Sequence, residues 1–98
     1  MTKFHLLEGF RMDFDERIAE IDRLAQEWLK KNNEDEARPG DLIEYLVEHG
    51  VYRENVRKGL PLRKDLRKLK ERGELNRIRG LDAQLINQNT NWYFRRVE

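Results

Sequence analysis

An apolar stripe in the N-terminal third of the chain constrains the fold more than any other sequence feature. Its members are Phe14, Ile18, Ile21, Ala25 and Trp28. They recur at alternating spacings of four and three, which is the period of one face of an α-helix. Asp13 and Glu16, just before it, have the spacing of a capping box that satisfies two free N–H groups at a helix start. The sequence therefore predicts an amphipathic helix over residues 13–31.

Two partners for this stripe are compatible with the sequence. It can pack on the rest of its own domain, because about 60 residues alone would form only a marginal core. It can also form the seam of a homodimer, because the spacing covers about two heptads of a coiled coil. The same five residues, Phe14 to Trp28, are the candidates for either contact.

Turn signals divide the remaining chain into further helices. Asn32 to Gly40 is polar and ends in Pro-Gly, which indicates a connection. Asp41 and Glu44 repeat the capping spacing, and Gly50 follows the last apolar position. These signals predict a second helix over 41–49. The segment 51–58 is too short and mixed to predict more than one or two helical turns.

A third helix is predicted over 61–72. Pro61 is suited to its first turn, where the missing N–H is no loss, and Gly73 is suited to its end. From Leu75 onward the helical period disappears, and a polar tract over 87–91 separates two segments rich in apolar residues. We expect strands near 83–87 and 91–97 joined at a hairpin tip. An extended arm is expected over 4–10.

The segment from Gly59 to Leu75, GLPLRKDLRKLKERGEL, resembles the recognition-helix region of winged helix-turn-helix proteins. In that superfamily a Gly-apolar turn leads into a helix with leucines at this spacing, followed by a Gly and a hairpin wing. The resemblance covers about residues 41–98. It implies an α+β fold that is mainly α with a small β-hairpin. We expect an N-terminal arm and helix over 1–37 and a winged helix domain over 38–98, together forming one compact unit.

Charge is distributed unevenly along the chain. The net charge is only +1, but residues 1–48 contain 7 basic and 13 acidic residues, and residues 49–98 contain 13 basic and 6 acidic residues. On a helix of 100° per residue, Leu62, Leu66 and Leu69 share one face. Lys64, Arg67, Lys68 and Glu71 point to the opposite side. The third helix is therefore expected to present a surface that is cationic except near its end and can attract a polyanion.

The resemblance implies that this helix enters the major groove of duplex DNA. The candidate DNA-binding residues are Arg57, Lys58, Arg63, Lys64, Arg67, Lys68, Asn89 and Arg95. The expected function is that of a DNA-binding protein that regulates transcription. Lys and Arg are also good helix formers on a solvated face, so the alternatives are a protein-interaction module or a small subunit of a larger nucleic-acid complex.

The hairpin raises two further alternatives. Its Asn and Gln amides either contact phosphates and groove edges or simply form a turn. Trp92, Tyr93 and Phe94 either stack on the bases of single-stranded nucleic acid or cover the leucines of the third helix.

Several functional classes are not expected. The chain contains no Cys, which excludes disulfides, thiolate metal sites and cysteine nucleophiles. His5 and His49 lack further ligands at metal-binding spacing, and no catalytic constellation or phosphate-binding Gly loop occurs. We therefore expect no enzyme activity, metal or cofactor. Without an apolar run long enough for a signal peptide or a membrane span, the expected location is cytoplasmic.

Overall fold

A computed structural model describes residues 12–53 and 59–97, and shows a mixed α+β protein. The elements in chain order are α1 (Phe14–Lys31), β1 (Glu36–Ala37), α2 (Pro39–Glu48), α3 (Leu60–Glu71), a short 3₁₀ helix (Leu75–Arg77), β2 (Leu81–Ile86) and β3 (Asn89–Arg95). The strands form one antiparallel sheet in the order β1-β3-β2. The predicted arm over 4–10 and the short helical segment over 54–58 lie outside the described residues.

The start of α1 agrees with the sequence prediction. The Asp13 carboxylate accepts a hydrogen bond of 2.8 Å from the Glu16 backbone N–H, and the Glu16 carboxylate accepts one of 3.0 Å from the Asp13 N–H. This capping box satisfies donors that the first helical turn leaves without partners. The helix then runs for 18 residues.

The start of α2 corrects the prediction. The helix begins at Pro39 with Arg38 as its N-cap, two residues before the predicted start. Asp41 is the third helical residue, and its carboxylate accepts a hydrogen bond of 2.8 Å from the Arg38 N–H. A proline fits the first helical position because its missing N–H would have no partner there. The helix therefore begins at Pro39, whereas the capping spacing of Asp41 and Glu44 predicts a start at residue 41.

Helix α3 begins one residue earlier than predicted, at Leu60. Gly59, its N-cap, has a φ of +95°, and a Cβ atom there would lie 3.3 Å from the Pro39 carbonyl carbon and oxygen. The start of α3 thus lies directly against the start of α2, in a conformation that L-residues rarely adopt. Gly73 follows the helix with a φ of +71°.

The hairpin is longer and tighter than predicted. Strand β2 begins at Leu81 rather than 83, and β3 at Asn89 rather than 91. Their register runs from Leu81 opposite Phe94 to Ile86 opposite Asn89, so only two residues form the turn. The sequence did not predict β1, because two residues carry no periodic signal.

One hydrophobic cluster contains residues from all three helices and the sheet. Its buried members are Ile18, Ile21, Leu24, Ala25, Leu29, Ala37, Leu42, Ile43, Leu46, Val51, Tyr52, Leu62, Leu66, Leu69, Ile78, Trp92 and Phe94. Of the α1 stripe, Ile18, Ile21 and Ala25 are inside this cluster, whereas Phe14 and Trp28 pack against it partly buried. Helix α1 therefore packs on the chain that follows it.

No described helix has the length and apolar character needed to cross a membrane.

Candidate nucleic-acid interface

Helix α3 separates an apolar face from a basic face. Leu62, Leu66 and Leu69 are completely buried in the core. Lys64, Arg67 and Lys68 are exposed on the other side, and Arg63 is half-buried on the flank between them. The core contacts of the three leucines therefore fix the direction in which the basic side chains project.

The exposed cations of α3 differ in their surroundings. The Lys68 ammonium lies 4.7 Å from the centre of the Phe14 ring, and the Arg72 guanidinium lies 4.8 Å from it. Both are held against the start of α1 by cation–π attraction. Among the described residues, by contrast, Lys64, Arg67 and Lys70 have no hydrogen-bonded or ion-paired partner. These three charges are the ones most available to an external anion.

Arginines elsewhere on the surface are mostly neutralised. Arg77 pairs with Asp15 at 3.0 Å and with Glu74 at 3.1 Å, and the hydrogen bonds that its guanidinium donates to both carboxylates raise its pKa. Arg79 pairs with Asp22 at 3.0 Å. Asp15, Asp22 and Glu74 are thus placed against these arginines and not against the three cations of α3 that are available to an external anion.

Arg95, unlike the exposed cations Lys64 and Arg67 of α3, has carboxylate partners among the described residues. Its Nη1 donates to Asp82 at 2.8 Å, and its Nε donates to Glu36 at 3.4 Å. The hydrogen bond to Asp82 raises the pKa of Arg95, and hydrogen bonds from Gln84 and Arg95 lower the pKa of Asp82. Because its neighbour Phe94 points into the core, Arg95 lies on the opposite side of the sheet. Asp82 and Glu36 therefore neutralise the charge of Arg95, which the sequence predicts to contact DNA.

The other predicted contacts are distributed as follows. Asn89 is exposed at the hairpin tip, where its side chain donates to the Asn87 carbonyl at 3.5 Å. Arg57 and Lys58 lie outside the described residues. The structure therefore brings Arg63, Lys64, Arg67 and Lys68 together on α3, and places Asn89 and Arg95 on the hairpin.

Burial decides between the two interpretations of the aromatic run. Trp92 is 2% exposed and Phe94 is completely buried, so neither ring has a face free for a base. The Arg38 guanidinium lies 4.6 Å from the centre of the Tyr93 ring. Base stacking on Trp92 or Phe94 is therefore excluded, because these rings belong to the core.

Sequence reasoning missed a buried polar cluster beside the basic face. The Arg17 guanidinium donates to both carboxylate oxygens of Asp65, at 2.7 and 3.1 Å. The Tyr52 hydroxyl donates to the same carboxylate at 2.6 Å. Burial and then the Asp65 charge raise the pKa of Tyr52, which keeps its hydroxyl protonated and able to donate. The signal was the position of Asp65, which at 100° per residue lies beside the leucines.

A second polar contact joins α1 to α2. The Tyr45 hydroxyl donates to the Glu27 carboxylate, which raises the pKa of Tyr45 to about 12 and lowers that of Glu27. The His49 ring lies 4.3 Å from the Tyr45 ring. This contact links Glu27 of α1 to Tyr45 of α2, two helices that pack on each other.

The described residues contain neither a pocket nor a group of three metal-binding side chains. Comparison with known proteins found no matching family model, curated protein or solved structure.

Proposed function

We propose that the chain is a winged helix domain that binds duplex DNA through the outward face of α3, as a regulator of transcription. The observation that carries this proposal is that three exposed cations of α3 have no hydrogen-bonded or ion-paired partner among the described residues: Lys64 and Arg67 on the outward face, and Lys70 on its flank. The order of elements supports it, because α2 and α3 are followed by the β2–β3 hairpin. This is the order that the resemblance implies for a helix-turn-helix and its wing.

The N-terminal end of α3 adds a second electrostatic contribution. Its first turn contains no acidic residue, and Arg63 and Lys64 follow immediately. A helix dipole disfavours cations near this end by about 0.3–1 kcal/mol each. A phosphate group near this end would offset that cost, because the positive end of the helix dipole and the exposed Lys64 ammonium both attract an anion.

Binding is tested by fluorescence anisotropy of a labelled duplex titrated with protein at several salt concentrations. The double variant Lys64→Gln, Arg67→Gln removes two phosphate contacts without changing the length of either side chain greatly. Each contact contributes about 0.9 to the slope of log affinity against log salt, so the slope should become less steep by about 2. Both side chains are exposed, and we expect thermal stability to remain within about 0.5 kcal/mol of the wild type.

The matched control is the double variant Lys30→Gln, Lys31→Gln at the end of α1, which removes the same two charges from exposed positions. It should bind with the slope of the wild type. If both double variants change the slope equally, only net charge matters and the α3 face is not the binding surface. Absence of duplex binding by the wild type at low salt would exclude the function itself.

A further inference from the structure

Strand β2 forms an edge of the sheet. It pairs with β3 on one side, and no strand within residues 12–53 or 59–97 pairs with its other side. The Arg95 N–H donates to the Gly80 carbonyl at 2.8 Å, which fixes the alternation of the ladder. In an antiparallel pair every second residue bonds across the ladder, so Asp82, Gln84 and Ile86 bond towards β3. The backbone N–H groups of Ala83 and Leu85 therefore point to the free edge.

This edge lacks the usual protection against pairing. Proteins commonly place Lys, Pro or a bulge on an exposed edge strand, but β2 contains neither residue and its register with β3 is uninterrupted. Its one charged residue, Asp82, is compensated by Arg95 at 2.8 Å. A second strand would thus meet an edge that carries no uncompensated charge.

The exposed large apolar side chains of the described residues lie at the two ends of this strand. Leu85 is 69% exposed and Ile86 is 46% exposed at its end. Val97, also 46% exposed, lies beside its start, since a Cβ atom on Gly80 would be 3.1 Å from Val97 Cγ1. Antiparallel pairing of β2 with another β2 would bring the end of each strand to the start of the other.

We propose that β2 pairs with β2 of a second copy of this chain, about a two-fold axis perpendicular to the sheet, to form a continuous six-stranded sheet. Such an axis keeps each face on its own side, so opposite residues have the same parity. A register centred on Ala83 places Leu85 opposite Leu81 of the second copy, and Ile86 opposite Gly80 beside Val97. The apolar ends then cover each other, and the Asp82 side chains face Gln84 and not one another.

A second copy fits this edge because the interface is self-complementary, as a two-fold contact requires. The proposal does not depend on DNA binding. It also moves the expected homodimer contact away from the helix over 13–31, where Ile18, Ile21 and Ala25 are already buried within one copy.

Sedimentation equilibrium of the full chain without nucleic acid tests the proposal. From about 1 μM to about 500 μM protein, the range in which a weak dimer forms, the average mass should rise from one copy to two. Leu85→Lys puts a charge on the pairing edge and should remain a single copy throughout. The matched control is Thr90→Lys, directly opposite Leu85 on β3 and one strand away from the edge, which should still form the dimer.

Amide hydrogen exchange gives a readout that does not depend on a variant. The Ala83 and Leu85 amides should exchange more slowly as wild-type concentration rises, and those of Leu85→Lys should exchange rapidly at every concentration. A wild type that remains a single copy with rapid exchange would refute the proposal. So would slow exchange in a single copy, which would mean that the chain itself covers the edge. Dimerisation of both lysine variants would place the interface elsewhere.

Discussion

At the scale of single residues, Asp65 is the acidic side chain through which α3 is hydrogen-bonded to other parts of the chain. It is 8% exposed and lies between Lys64 and the buried Leu66. Its carboxylate accepts three hydrogen bonds, two from Arg17 of α1 and one from Tyr52 in the segment after α2. A buried carboxylate is tolerated because these donors replace water. Asp65 therefore joins α3 to two other parts of the chain and fixes the rotation of its outward face.

Asp65→Asn should lower the free energy of unfolding by about 1–3 kcal/mol, because the charge-assisted pair is lost and one amide group replaces an acceptor. Urea unfolding followed by circular dichroism measures this change. Glu71→Gln is the matched control on the same helix, since Glu71 is exposed, and it should change stability by less than about 0.5 kcal/mol. Equal effects of the two substitutions would show that the Asp65 cluster does not stabilise the fold.

On α3, the sequence predicts which residues are buried but not which residues are their polar partners. The burial of Leu62, Leu66 and Leu69 follows from helical spacing, which is a local property. The partners of Asp65 and Arg95 do not, since Arg17 lies 48 residues from Asp65 and Glu36 lies 59 residues from Arg95. The packing of α1 brings Arg17 to Asp65, β1 brings Glu36 to Arg95, and the β2–β3 register brings Asp82 to Arg95, so the neutralisation of Arg95 could not be predicted.

At the scale of elements, the hairpin turn illustrates how local geometry sets strand length. Asn87 and Gln88 form the turn with φ values of +51° and +68°. Two central residues with positive φ characterise the type I′ turn, whose twist matches that of the flanking strands. Asn tolerates this conformation well, whereas Gln is strained in it. Because the turn needs only two residues, residues 89–91 pair in β3, whereas their polarity predicts that they belong to the hairpin tip.

Gln88→Gly should stabilise the protein by about 0.5–1 kcal/mol, because Asn-Gly is the preferred type I′ pair and relief of strain exceeds the added chain entropy. The urea midpoint should rise with an unchanged slope. Gln84→Gly is the matched control inside β2, where glycine lowers stability by about 0.5–1 kcal/mol. If both substitutions destabilise the protein, the turn does not need positive φ at residue 88.

Element order was more predictable than element boundaries. Three helices followed by a hairpin could be predicted, because caps, glycines and apolar periods are local signals. The start of α2 was predicted two residues late because Asp is favoured both as an N-cap and in the first helical turn, and Asp41 is the third helical residue. Strand β1 depends on pairing with Phe94 and Arg95, so it exists only in the folded chain.

At the scale of the whole molecule, α1 packs against the other helices and is hydrogen-bonded to the end of the sheet. Gln26 is 4% exposed, and its amide donates to the Arg95 carbonyl at 2.9 Å while its oxygen accepts from the Val97 N–H at 3.0 Å. Ile21 and Leu24 of the same helix are in the common core. The sequence left open whether this helix packs within one copy. From its buried contacts we expect α1 to unfold together with the helices and the sheet on which it packs.

The two tryptophans make this cooperativity measurable, because Trp28 reports on α1 and Trp92 on β3. In Trp92→Phe only Trp28 remains, and in Trp28→Phe only Trp92 remains. For each variant, the urea curve from tryptophan fluorescence should coincide with its own curve from helical circular dichroism, as two-state unfolding requires. The midpoint of Trp92→Phe should be lower, because Trp92 is buried and the smaller ring leaves a cavity. A Trp28 signal lost well before the rest of the helical signal would mean that α1 is a separate unit. The Gln26 contacts and the shared core would then contribute little to holding it in place.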